Sequence, residues 1–183
     1  MAGKKLEQKR GLARIISGPS AREALRSFCE EAAMGEIRVK VLFENEVDRF
    51  RHAQGKLPRK RIRSAHVDAI VDTGAVETLL PQELVEKLGL RLFAKTTVIL
   101  ADDRRIELHR AGPLALTIGD RSMMTECLVG PLGSQALIGQ IAMESLDLIP
   151  DPRLRTLTPR PESPFRPTLG MRAGRLPELV PAA

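Results

Sequence analysis

Between Ile37 and Phe43 the chain reads Ile-Arg-Val-Lys-Val-Leu-Phe, and the alternation at its start predicts a strand with one buried face, opened by Met34-Gly35. A second run, about Ala65 to Val71, has strand character and leads straight into Asp72-Thr73-Gly74. The period then changes. Pro81 at a first helical position, Leu84 and Leu88 on one face, and Gly89 just past the end predict a short helix over 81–88. Further strand-like runs cover about 90–101, 106–108, 114–118 and 123–129, with Asp102-Asp103-Arg104 and Gly119-Asp120 at the reversals. Ala136-Leu137-Ile138-Gly139 ends a short buried strand and leads into a helix over 140–146.

Both flanks read differently from this centre. Residues 1–33 form an N-terminal appendage whose second half is expected to be helical. Pro19-Ser20 followed by Glu23 resembles a capping box, and Ala21, Ala24, Leu25 and Phe28 share one face. Residues 34–157 form the domain proper. Within it, 44–63 is polar, and the basic run Lys56 to Arg63 reads as a solvated loop rather than a phosphate-binding patch. Six of the 13 prolines fall in 158–183, which predicts an extended or disordered tail.

Composition narrows the core and the partners. Aromatic residues are 3% of a chain that is 43% hydrophobic, so the core must be aliphatic. The net charge of +6 suggests nucleic acid until its distribution is considered. Residues 1–65 hold 16 basic and 8 acidic side chains, whereas residues 66–150 hold 7 and 12. The central segment is therefore acidic, which argues against a basic groove there. No run approaches the roughly 18 apolar residues of a membrane span, and the first residues lack the apolar centre of a secretory signal, so the cytoplasm is the expected compartment. Cys29 and Cys127 are far apart and without CxxC or His spacing; they read as ordinary thiols, and no metal or cofactor is expected.

The candidate chemistry is at Asp72. An acid directly after the apolar strand residues Ala69-Ile-Val is placed at the edge of a core, where a carboxylate is costly unless hydrogen-bonded. Gly74 permits the tight turn that would present backbone N–H groups, and the Thr73 hydroxyl could bond across to a neighbouring backbone. On the tripeptide alone, an Asx-type turn at a strand end is the simpler reading.

The wider context favours a catalytic loop. With Asp72-Thr73-Gly74-Ala75 followed by a short helix, a hairpin and Ala136-Leu137-Ile138-Gly139, whose Gly lies 67 positions after Asp72, the chain resembles the retropepsin-like aspartic peptidases over roughly residues 36–157. The resemblance implies a mainly β, closed acid-protease barrel with a short C-terminal helix, and a homodimer in which each copy supplies one Asp72. It implies supporting roles for Thr73, Gly74 and Ala75, and a substrate-covering flap at Leu100, Ala101, Asp102, Asp103 and Arg104. Leu137, Ile138 and Gly139 would lie beside the site, and the substrate would be a peptide or protein. Two features depart from the pattern: retroviral members carry Arg directly after the downstream Gly, where this chain has Gln140, and the flap tip is charged rather than glycine-rich.

Other polar residues have plainer readings. Asp68 is expected to face solvent or pair with a base, Glu77 to lie on the surface and Asp147 at a strand start. His52, His66 and His109 lack metal-ligand spacing or a nucleophile motif. Two functions compete with peptidase activity: a non-catalytic binding or adaptor module on the same barrel, and nucleic-acid binding through residues 1–63.

Overall fold

The computed structural model describes residues 36–168. Strand β1, Ile37–Asn45, runs antiparallel to β2, Ser64–Val71, and its second half also pairs with β5, Arg105–Ile118. From β2 the ladder continues through β7 (Leu137–Ile138), β3 (Leu79–Pro81) and β6 (Arg121–Gly130) to β5, which returns to β1. Six strands thus close into a barrel, and closure removes the unpaired edges that an open sheet would present. Strand β4, Arg91–Ile99, lies outside the ring and pairs with the first half of β5 as a hairpin.

The interior is aliphatic, as the composition requires. Val41, Leu80, Leu88, Leu116, Ile138 and Leu146 are among the fully buried side chains, and among the described residues Phe43 is the one aromatic with them. Cys127 is in this core, where burial pushes its thiol up to about 12. It is an inert packing residue. Cys29 and the expected helix near 20–33 lie outside the described residues.

Three stretches differ from the sequence expectation. The polar segment after β1 is not loop throughout: Glu46–Ala53 forms helix α1, capped by the Asn45 side chain, which accepts from the Asp48 amide at 3.1 Å. This helix buries only Asp48, so it has no apolar stripe to announce it. Arg63 grips Asp48 at 2.6 and 2.8 Å and holds its carboxyl below the usual carboxylate range. Residues 59–61 of the basic run turn once as a 3-10 helix, none of them buried.

Second, helix α2 is Gln82–Leu88, and Pro81 is its extended N-cap, because the same residue ends β3. Gly89 closes the helix at φ 59°, and a Cβ there would run into the Arg63 guanidinium. Third, the two runs at 106–108 and 114–118 are one strand, β5, whose pairing with β6 shifts register between Ala111 and Leu114. Pro113 sits in that irregularity, where a missing N–H is tolerated.

The domain also extends past the boundary expected at 157. After helix α3, Gln140–Ser145, strands β8 (Leu148–Asp151) and β9 (Thr156–Pro159) pair as a hairpin, and the chain then folds back on Asp147. Buried Asp147 accepts hydrogen bonds from Arg160 Nε at 2.8 Å, the Thr168 amide at 3.1 Å and the Ser163 hydroxyl. Arg121 completes the cluster, donating to the carbonyls of Leu146, Asp147 and Ser163. Asp147 is therefore an anchor rather than a plain strand start, and 158–168 packs because its polar groups satisfy a buried charge. Residues 169–183 lie outside the described chain.

Candidate active site

The position of Asp72 is set by the strand beside it. Strand β7 runs parallel to β2, with Ile70 opposite Leu137 and Val71 opposite Ile138. The ladder carries one step further, from the Asp72 amide to the Ile138 carbonyl at 3.0 Å. The chain then leaves the sheet in a turn closed by its own acid: Gly74 N donates to Asp72 Oδ1 at 2.8 Å, and Ala75 N to the Asp72 carbonyl at 3.3 Å. The Asx-type turn and the loop expected to carry the chemistry are thus the same local geometry here.

The far side of the loop is tied to the start of α3. Gln140 N donates to the Ala75 carbonyl at 2.8 Å and Ile141 N to that of Val76 at 3.0 Å. Gly139 passes so close to the loop that a Cβ on it would lie 2.6 Å from the Glu77 carbonyl carbon and oxygen. Backbone cannot retreat as a flexible side chain can. Gly139→Ala is therefore expected to cost about 1–3 kcal/mol, the usual range for overpacking, read as a lower midpoint in denaturant at unchanged slope.

Above the loop is a cleft of about 540 Å³. Its floor includes Asp72, Gly74, Ala75 and Leu137, and one wall is Thr96 to Ala101 from β4 and its turn. Of the expected flap residues, Leu100 and Ala101 line the cleft. Asp102, Asp103 and Arg104 do not: they form the exposed tip, where Asp102 pairs with Arg104 at 2.5 Å and Asp103 takes φ 62°. Asp102 and Arg104 thus neutralise each other at the tip instead of facing the cleft. Leu137 borders the cleft, but Ile138 is fully buried in the core, because neighbours in a strand face opposite ways.

Thr73 is exposed, and among the described residues its hydroxyl makes no hydrogen bond. Two acids line the cleft, Asp72 and Glu77. Glu77 is half-buried and ion-paired with Arg110 of β5, a contact that sequence reading missed because its partners are 33 positions apart. Asp72 has no such counter-charge among the described residues. Asp68 is exposed as expected. His52 engages the Leu57 carbonyl and His66 is exposed, whereas burial lowers the half-buried His109. No group of His, Cys, Asp and Glu able to hold a metal occurs among the described residues.

Residues 60–142 match a protein family described as aspartyl protease, a span that takes in both Asp72-Thr-Gly-Ala and Ala136-Leu-Ile-Gly139. The resemblance to the retropepsin-like aspartic peptidases is thereby borne out, and the closed, mainly β barrel is the fold it implied. Among solved structures, the retroviral protease-like domain of Ddi1 from Leishmania major is similar over 69% of this chain and 89% of that one, at 14% identity and a TM-score of 0.45. No curated protein matches the chain. No helix among the described residues is long and apolar enough to cross a membrane.

Proposed function

We propose that the chain is an aspartic endopeptidase that hydrolyses peptide bonds between two copies of Asp72 across a homodimer. The observation that carries this reading is a carboxylate without an ion-pair partner among the described residues, held by the Gly74 amide, at the floor of a cleft lined mainly by apolar side chains. Hydrolysis needs two acid–base groups, one to take a proton from water and one to donate to the substrate carbonyl oxygen. The second acid in the cleft, Glu77, is occupied by Arg110, so a two-fold related Asp72 is the natural source. One Asp72 is then ionised and the other protonated, because two carboxylates that meet in one site share a proton, as in the aspartic-protease dyad. Leu100 and Ala101 close over an extended peptide and limit its access to water.

Surface beside the loop fits a second copy. Val76 is 61% and Ile141 43% exposed, and the two are joined by a backbone hydrogen bond next to Asp72. Apolar side chains so placed gain from burial against their symmetry mates. Ile141→Asp is expected to leave the monomer folded while raising the concentration needed for dimerisation and activity by about a hundredfold, since like charges would then meet across the axis. Sedimentation and specific activity over a dilution series check this together. Full activity in a demonstrably monomeric preparation would remove the two-chain site and bring a non-catalytic binding module to the front.

A further inference from the structure

Glu77 stands where the loop carrying Asp72 approaches β3, and its side chain is only 20% exposed. A carboxylate so withdrawn from water is costly unless paired. Helix α3 does not supply the partner: the Gln140 side chain, first in that helix, is engaged by Glu144 at 2.9 Å. The partner is Arg110, in the middle of β5. Strand register explains how it arrives. Leu79 lies beside Leu128 of β6, and Leu128 lies beside Arg110, so Arg110 stands two strands across at the same height.

From there the guanidinium bonds Glu77 Oε1 with one nitrogen and lies 2.6 Å from Glu126 Oε1 with another. Glu77 Oε2 is buried without a hydrogen-bond partner, so Arg110 is its main compensation. Glu77 also borders both the substrate cleft and a second cavity, of about 140 Å³, that Arg110 and Glu126 line behind the loop. With space on both sides, this stretch of loop has room to swing Glu77 toward water once its charge is left unpaired, and Arg110 prevents that by neutralising it.

We propose that Arg110 is a positioning residue for Asp72, acting through Glu77 to hold segment 73–78 and, at its start, the carboxylate. Its catalytic consequence rests on the peptidase reading above; its structural consequence does not. Arg110→Met keeps an unbranched stem and removes the charge. Expected is a fall in kcat of about a hundredfold with KM nearly unchanged, the mark of a misplaced reacting group. Arg110→Met/Glu77→Gln removes the stranded charge as well and should recover most of that rate. Arg110→Lys, which keeps a cation beside Glu77, should lose little.

Hydrogen exchange gives a readout independent of activity. The amides of Gly74, Gln140 and Ile141 are bonded to Asp72 Oδ1 and to the carbonyls of Ala75 and Val76. In Arg110→Met they should exchange about tenfold faster, with the β1–β2 ladder unchanged, and return toward wild type in the double variant. Unchanged exchange at those amides, equally faster exchange throughout β1–β2, or a double variant as impaired as the single one would each overturn the proposal. If the wild-type chain cleaves nothing, the peptidase reading fails by itself and the exchange pattern still decides the role of Arg110.

Discussion

Asp72→Asn is expected to abolish hydrolysis while leaving the fold intact. Asn is nearly isosteric with Asp, and its carbonyl oxygen can still accept from the Gly74 amide, so the turn that Asp72 Oδ1 closes at 2.8 Å survives. What it loses is the proton. An amide can neither take one from water nor return one to the substrate, and positioned acid–base groups contribute about 10²–10⁴-fold in rate. Because one Asp72 of the pair must be ionised and the other protonated, the wild-type rate should be bell-shaped in pH, with limits belonging to the pair. The variant should show no such profile. Its dimer should be at least as stable as wild type near neutral pH, since two like carboxylates no longer meet. Cleavage of an unfolded protein substrate, measured beside the thermal midpoint, separates chemistry from folding. Wild-type cleavage by Asp72→Asn would sink the active-site assignment.

Local patterns gave the β2–loop–α2 passage and the hairpin, because each has its own signal: apolar runs, a Gly at the helix end, polar reversals. The elements that sequence reading missed have none. Strand β3 is three residues long and all buried, so no alternation shows, and it is a strand only because β6 and β7 lie on either side. Helix α1 is polar on nearly every face and is held by Asn45 and by the Asp48–Arg63 pair. The site divides in the same way. Asp72, Gly74 and the approach of Gly139 follow from local residue types, whereas the Glu77–Arg110 pair requires the barrel to close first. Even the charged flap tip misled, because Asp102 and Arg104 are matched to each other rather than to a ligand.

The same dependence on distant partners makes the C-terminal segment sensitive to truncation. A chain ending at residue 157 loses Arg160, Ser163 and Thr168, and with them the hydrogen bonds that those residues give Asp147. Asp147 is 4% exposed and Arg121 3%, so neither can turn to water without opening the barrel end. A buried charge stripped of its partners is among the few changes that destabilise strongly. The thermal midpoint should fall by roughly 10 °C, against little change for a chain ending at Thr168, which keeps all these contacts. The pH dependence identifies the cause. Hydrogen bonds from Ser163 and Arg160 bring Asp147 down to about 2 in the folded chain, from an ordinary 3.8. A depressed carboxyl stabilises the fold above its unfolded value and loses that contribution as pH falls toward the folded one. The gap between the two truncations should therefore be full above pH 4 and close progressively toward pH 2. A gap that stayed constant through that range would mean that the segment stabilises by packing alone, and equal midpoints at neutral pH would mean that it does not stabilise the domain.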